Sequence, residues 1–97
     1  MSRYGAQYGP DVTFLGVEQV DPRAGASARN EGEAAINRLL AERSGRVVVI
    51  ADSSKLGGSA FVRICPTDQI GTLITDSDAD ETVVREFRDL GVDVLMV

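Results

Sequence analysis

The sequence predicts an α/β domain with a mainly parallel sheet and flanking helices. Three observations predict it. Val47 to Ala51 (Val-Val-Val-Ile-Ala) is a short run with no polar alternation, as expected of a strand buried on both faces in the middle of a sheet covered by helices on both sides. Strand-like and helix-like segments alternate from Asp11 to the last residue, and short connections between such segments favour parallel strands. The chain has 97 residues, 43% hydrophobic and 26% charged, the size and balance of one small globular domain.

Each element follows from local chemistry. Val12 to Leu15 is β-branched and aromatic and stops at Gly16, so it reads as the first strand. Asp21 to Ala28 is rich in Pro, Gly, Ser and Ala and reads as a loop without a period. Asn30 reads as a helix N-cap, with Glu33 three residues on to complete a capping-box pair. Ala35, Ile36, Leu39 and Leu40 follow at helical spacing, and Gly45 is placed to end that helix. After the Val47–Ala51 strand, Phe61 to Cys65 reads as a further strand closed by Pro66, and Ile70 to Thr75 as another. Asp76 to Asp80 is a polar turn in which Ser77 and Asp80 form a capping pair. Val83, Val84, Phe87 and Leu90 mark the buried stripe of a second helix, with Glu81 and Arg85 as an ion pair on its outside. Gly91 ends it, and Val92 to Val97 is a last strand.

Residues 1–10 carry Tyr4, Tyr8 and three glycine or proline breaks, and read as an irregular segment ahead of a domain spanning 11–97. About five strands with two helices leave one helix layer thin. The expectation is a half-domain with exposed apolar surface that a partner chain or a further segment covers.

Composition narrows the function. Ten Lys and Arg against fifteen Asp and Glu give a net charge of −5, the wrong sign for a chain that grips nucleic acid through its phosphates. There is no histidine, which excludes a histidine triad or a His-ligated zinc site, and Cys65 is the only cysteine, which excludes an internal disulfide. No apolar run approaches the ~20 residues that cross a bilayer, and the first residues lack the apolar stretch of a signal peptide, so a cytoplasmic address is expected. Nothing in the sequence asks for a cofactor or a metal.

Ligands of parallel sheets bind beyond the carboxyl ends of the strands, and three segments fall there. Asp52-Ser53-Ser54-Lys55-Leu56-Gly57-Gly58 is the most informative, because it joins the only lysine to two hydroxyls and two glycines, a composition suited to an anion. It is equally the composition of a capped polar turn. Gly16 to Pro22 brings Glu18 and Asp21 to a strand end, for sugar hydroxyls, for acid–base work or as a solvated turn. Asp76, Asp78 and Asp80 lack the glycine and distal glutamate of a calcium loop and read as an acidic helix start. Cys65, inside an apolar strand, reads as a buried thiol.

Taken in order, Phe14-Leu15-Gly16-Val17-Glu18-Gln19-Val20-Asp21-Pro22, Asn30-Glu31-Gly32-Glu33-Ala34, Val47 through Gly57 with its Ala-Asp-Ser-Ser-Lys core, Thr72-Leu73-Ile74-Thr75-Asp76 and Leu90-Gly91-Val92-Asp93-Val94 resemble the effector-sensing domain of the DeoR family of bacterial transcriptional repressors. The resemblance covers roughly residues 11 to 97. It implies a regulator whose N-terminal winged helix-turn-helix binds an operator and whose C-terminal domain senses a phosphorylated sugar. The present chain looks like the second half of that sensor, a Rossmann-like half-domain, whether a truncated, a proteolysed or a naturally short product. The operator-binding domain is not in it. The implied effector-binding residues are Gly16, Glu18, Asp21, Asn30, Glu33, Asp52, Ser53, Ser54 and Lys55, with a homo-oligomer as the expected assembly.

The sensor fold is similar to ribose-5-phosphate isomerase, which makes a small isomerase-like enzyme the alternative. That enzyme family carries Asp-Gly-Ala-Asp-Glu and a lysine further on. Here the stretch reads Leu15-Gly16-Val17-Glu18-Gln19, and the lysine position falls near Ala28. An isomerase needs a base and an electrophilic partner at the substrate carbonyl, so sensing is favoured over turnover and no catalytic residue is assigned. A phosphoacceptor receiver domain is disfavoured, because Lys55 lies three residues from Asp52 rather than on a later strand. The chain departs from the repressor pattern at Glu18, where aspartate is usual, at Ser27-Ala28-Arg29-Asn30, where Thr-Thr-Pro-Asn is usual, and at Asn37, where a basic residue is common.

Overall fold

The computed structural model describes residues 11–60 and 62–97. Four strands form a parallel sheet in the order β1 (Val12–Gly16), β4 (Arg46–Ile50), β6 (Thr72–Thr75), β7 (Asp93–Met96). A second, antiparallel sheet joins β2 (Gln19–Asp21), β3 (Gly25–Ala28) and β5 (Val62–Cys65). Helices α1 (Glu31–Arg43) and α2 (Glu81–Asp89) complete the element set. The architecture is mixed α/β with a parallel sheet, as the alternation of elements implied.

Register sorts the parallel sheet into two faces, because partners across a parallel ladder point the same way and side chains alternate along each strand. Thr13, Leu15, Val47, Val49, Leu73 and Val94 share one face and are buried. The apolar residues among them join one core with Ala34 and Ala41 of α1, Val84 and Phe87 of α2, and Val20, Ala26, Ala28, Ile64 and Cys65 of the small sheet. Val12, Phe14, Val48, Ile50, Ile74 and Leu95 share the other face. Among the described residues no helix covers it. Phe14 is 64% exposed and Ile50 and Leu95 about half exposed, while Val48, flanked in register by Phe14 and Thr72, is shielded by its neighbours.

Several expectations are corrected here. Val47–Ala51 is an interior strand, yet its cover lies on one side only. Asp21–Ala28 is no irregular loop: Val20 pairs with Ala26 in a hairpin whose second strand is entirely buried. Of the strand expected over Phe61–Cys65, Phe61 lies outside the described residues and Val62–Cys65 forms β5, but in the antiparallel sheet. Helix α1 is capped by Asn30, whose Oδ1 accepts the Glu33 N–H at 2.9 Å. It buries Ala34 and Ala41, and Ile36, Leu39 and Leu40 face outward. Small residues at the contact let the helix approach closely, which the apolar spacing alone concealed. Asp80 by itself caps α2, accepting the Thr82 N–H at 2.8 Å, in place of a Ser77–Asp80 pair. Val84 and Phe87 are its buried residues, Leu90 is exposed, and Glu81 and Arg85 do not close an ion pair. Gly91 N–H donating to Arg88 O and Val92 N–H to Phe87 O end α2 in the paired pattern of a Schellman motif. Cys65 is buried, and burial pushes its thiol pKa up.

Gly25 is where β3 comes closest to the end of β5 within the small sheet. Its φ is +79°, and a Cβ there would sit 2.2 Å from the Cys65 carbonyl oxygen. No other residue fits. Thr67 secures the same corner, its hydroxyl donating to Pro22 O at 2.8 Å.

Candidate functional site

The carboxyl ends of β1 and β4 open onto a hollow of about 490 Å³. Gly16, Glu18, Glu33, Asp52 and Lys55 line it, together with Val17, Ala28, Arg29, Ile50 and Ala51. Five residues singled out by sequence therefore meet across three chain segments. Gly16 ends β1 and leaves open space where a side chain would stand.

The segment carrying Lys55 is held by ties on several sides. Asp52 caps a single turn of 3-10 helix, Ser53–Lys55, its carboxylate accepting the Ser54 N–H at 3.0 Å and the Ser54 hydroxyl. Asp76, at the end of β6, accepts the Ser53 N–H at 2.9 Å and the Asp78 N–H at 2.9 Å. Those backbone donors, Ser53 first, hold the Asp76 carboxyl below the usual carboxylate range. Gly57 N–H donates to Val20 O at 2.8 Å, and the Gln19 amide, oriented to satisfy both groups, donates to Gly57 O at 2.7 Å and Lys55 O at 3.1 Å. Gly57 and Gly58 both have positive φ, +85° and +72°, which lets the chain turn back at once. The main chain under Lys55 is held by these bonds, and the residue, half-buried, lines the hollow.

On the opposite wall the hairpin pairing of Gln19 with Ser27 brings Glu18 beside Arg29. Arg29 Nε lies 3.8 Å from Glu18 Oε1, and another guanidinium nitrogen 3.8 Å from Glu33 Oε2. Glu33 thus faces Arg29, and its main-chain N–H is what the N-cap uses. Asn30 does not line the hollow, and its oxygen is engaged in that cap. Asp21 does not line the hollow: its carboxylate accepts the Arg23 and Ala24 N–H groups, both at 2.9 Å, and shapes the β2–β3 turn. Ser53 and Ser54 also lie outside the lining, engaged with Asp76 and Asp52.

Arg29, Gln19 and Asp76 are the residues that sequence reasoning missed. Arg29 enters the site only once β2 and β3 pair, and that hairpin read as loop. A larger hollow of about 590 Å³ lies at the amino ends of the strands. Its one cation, Arg46, is engaged by the Thr72 hydroxyl and by Asp93 at 3.9 Å, and Glu42 and Asp68 add negative charge. Carboxylates outnumber cations by one in both hollows, but among the described residues Lys55 enters no ion pair, and that makes the carboxyl-end hollow the better candidate for an anionic ligand.

Residues 2–77 match the family model of the DeoR C-terminal sensor domain. The chain belongs to that family. It is 37% identical over 87 residues to a protein of Escherichia coli O157:H7 described as an aga operon transcriptional repressor, covering 90% of this chain and 32% of that one. It is 36% identical over 85 residues to the HTH-type transcriptional regulator GlpR of Haloferax volcanii, covering 88% and 33%. It is also 36% identical over 90 residues to the HTH-type transcriptional regulator YulB of Bacillus subtilis, covering 93% and 35%. The chain spans about a third of the length of these relatives. All three are described as transcriptional regulators or repressors. No helix among the described residues is long and apolar enough to cross a membrane.

Proposed function

We propose that this chain is the effector-sensing part, the C-terminal half over residues 11–97, of a DeoR-type transcriptional regulator, and that the carboxyl-end hollow takes a phosphorylated sugar. The observation that carries this reading is the pairing, across one hollow, of Lys55 on a tied-down turn with carboxylates on the facing wall. The ammonium suits a phosphate, and Glu18 suits sugar hydroxyls. Gly16, Asp21, Asn30, Glu33, Asp52, Ser53 and Ser54 complete the proposed effector set, Asp21, Ser53 and Ser54 through the turns that they shape.

In this reading the fold is a Rossmann-like half-domain similar to that of ribose-5-phosphate isomerase. The protein is cytoplasmic, and operator DNA is bound through a helix-turn-helix domain outside these 97 residues. At net −5 the chain alone shifts no operator in a mobility assay at physiological salt. The apolar sheet face supports a homo-oligomer. Sedimentation over a concentration series then shows association that Phe14→Asp abolishes.

Calorimetry tests the effector reading. A hydrogen bond to a charged group is worth about 1.5–3 kcal/mol, so Lys55→Ala is expected to weaken a sugar phosphate by about one to two orders of magnitude. The unphosphorylated sugar is then barely affected. Equal loss for both forms would assign Lys55 to the fold, and no loss for either would return the segment to a capped polar turn.

A further inference from the structure

A second, smaller hollow adjoins the first. It measures about 320 Å³ and is lined by Glu18, Gln19, Arg29, Ser59 and Ala60. Glu18 and Arg29 line both hollows, so their ion pair is the wall between them. The wall is weak. Both Arg29 contacts are 3.8 Å long, beyond the 2.7–2.9 Å of a close charge-assisted hydrogen bond. The Arg29 side chain is 66% exposed, and such pairs hold little energy.

Around the larger hollow the carboxylates Glu18, Glu33 and Asp52 outnumber the cations Arg29 and Lys55. An anion entering there meets net negative charge unless one of the cations turns to it. Lys55 supplies a single point charge, whereas a guanidinium presents two parallel N–H donors that match a phosphate edge.

We propose that Arg29 is a second phosphate-reading residue of this site, beside Lys55: it pairs with Glu18 and Glu33 in this structure and leaves them for the phosphate of the effector. The move frees Glu18 for sugar hydroxyls and joins the two hollows into one site for a phosphorylated sugar. The proposal rests on the sensor reading above and adds to Lys55 a second residue that distinguishes phosphorylated from free ligands.

Calorimetry on the 97-residue chain, with glucose 6-phosphate, ribose 5-phosphate, fructose 1-phosphate, their free sugars and inorganic phosphate as probes, tests it. Arg29→Gln is expected to weaken the sugar phosphate that binds best by about tenfold or more, with free sugars within about twofold. Arg29→Lys restores part of the loss, since it keeps the charge and lacks the fork. Glu18→Gln tightens inorganic phosphate, because the competitor for Arg29 is gone, and weakens the free sugars. In parallel, the Arg29 Nε–H resonance shifts on phosphate titration. If Lys55→Ala loses phosphorylated ligands and Arg29→Gln does not, the proposal falls and the sensor reading stands. Equal loss of free and phosphorylated sugars in both Arg29 variants makes Arg29 structural and also overturns it. A wild-type chain that binds nothing in the panel overturns the sensor reading together with this one.

Discussion

Phe87 and Phe14 are the same residue on opposite sides of one sheet. Phe87, on α2, is fully buried in the core against the inner face, whereas Phe14, on β1, stands 64% exposed on the outer face. The inner face is closed by two helices and a small sheet. The outer face carries Val12, Phe14, Ile50 and Leu95 with no cover among the described residues. The difference shows that apolar content records where a chain needs cover, not where its own residues supply it.

Substitution should separate the two faces sharply. Phe87→Ala is expected to cost about 3–5 kcal/mol, the range for emptying a buried aromatic site. Phe14→Ala should stay within about 0.5 kcal/mol in the monomer. Urea unfolding at low protein concentration reads both. Comparable losses would mean that the outer face is covered, and the comparison would break.

The next effect concerns how the small sheet closes the inner side. Gly25→Ala places a Cβ on the Cys65 carbonyl at a positive φ, and is expected to cost about 1–3 kcal/mol. The measurement is the shift in thermal midpoint against Gly16→Ala, whose site is open. Equal shifts for the two would contradict the close approach of β3 to the end of β5.

Asp76 gives a smaller, pH-dependent effect at the end of β6. Its carboxyl is held below its ordinary value of 3.8, chiefly by the Ser53 N–H. Folding therefore favours the ionised form. Its stabilisation is complete above the ordinary value and is lost as pH falls through the lowered one. Asp76→Asn should flatten the acid limb of the stability profile and leave alkaline behaviour unchanged. A profile identical to wild type below pH about 4 would remove Asp76 as the tie of the Lys55 segment. The smallest effect is chemical. Cys65, with burial raising its pKa, should resist iodoacetamide in the native protein and react on unfolding, since only the thiolate is nucleophilic. Rapid labelling of folded protein would place β5 outside the core.

How much of this was legible follows the physics of each segment. Val47, Val48 and Val49 announce a sheet interior, because nothing else accommodates three branched apolar residues in a row. They cannot announce which side is covered, since an outward valine awaiting a partner reads like one already packed. Gly25-Ala26-Ser27-Ala28 was opaque for the opposite reason. Its residues have weak strand propensity, and they are small because the inner side is crowded. With that strand hidden, Arg29 had no position. The Asp52–Lys55 segment was legible because its chemistry is local, whereas the facing wall depends on a pairing between residues 19 and 27.

That small sheet also sets an order of assembly. Ala26 pairs with Cys65, and Thr67 bonds back to Pro22, so both contacts close across α1, β4 and the Lys55 segment. Contacts so distant in sequence carry a loop-closure cost and form late. The parallel pairing of β1 with β4 has the shorter span, and it can stand before the ligand wall is complete. As synthesis proceeds from the N-terminus, a nascent chain that has emerged to residue 60 already holds Arg29, Lys55 and the Gln19 and Val20 ties between their segments, but lacks Asp76, which accepts the Ser53 N–H. The last tie of the Lys55 segment therefore arrives only with the end of β6, although Asp76 does not itself line the hollow.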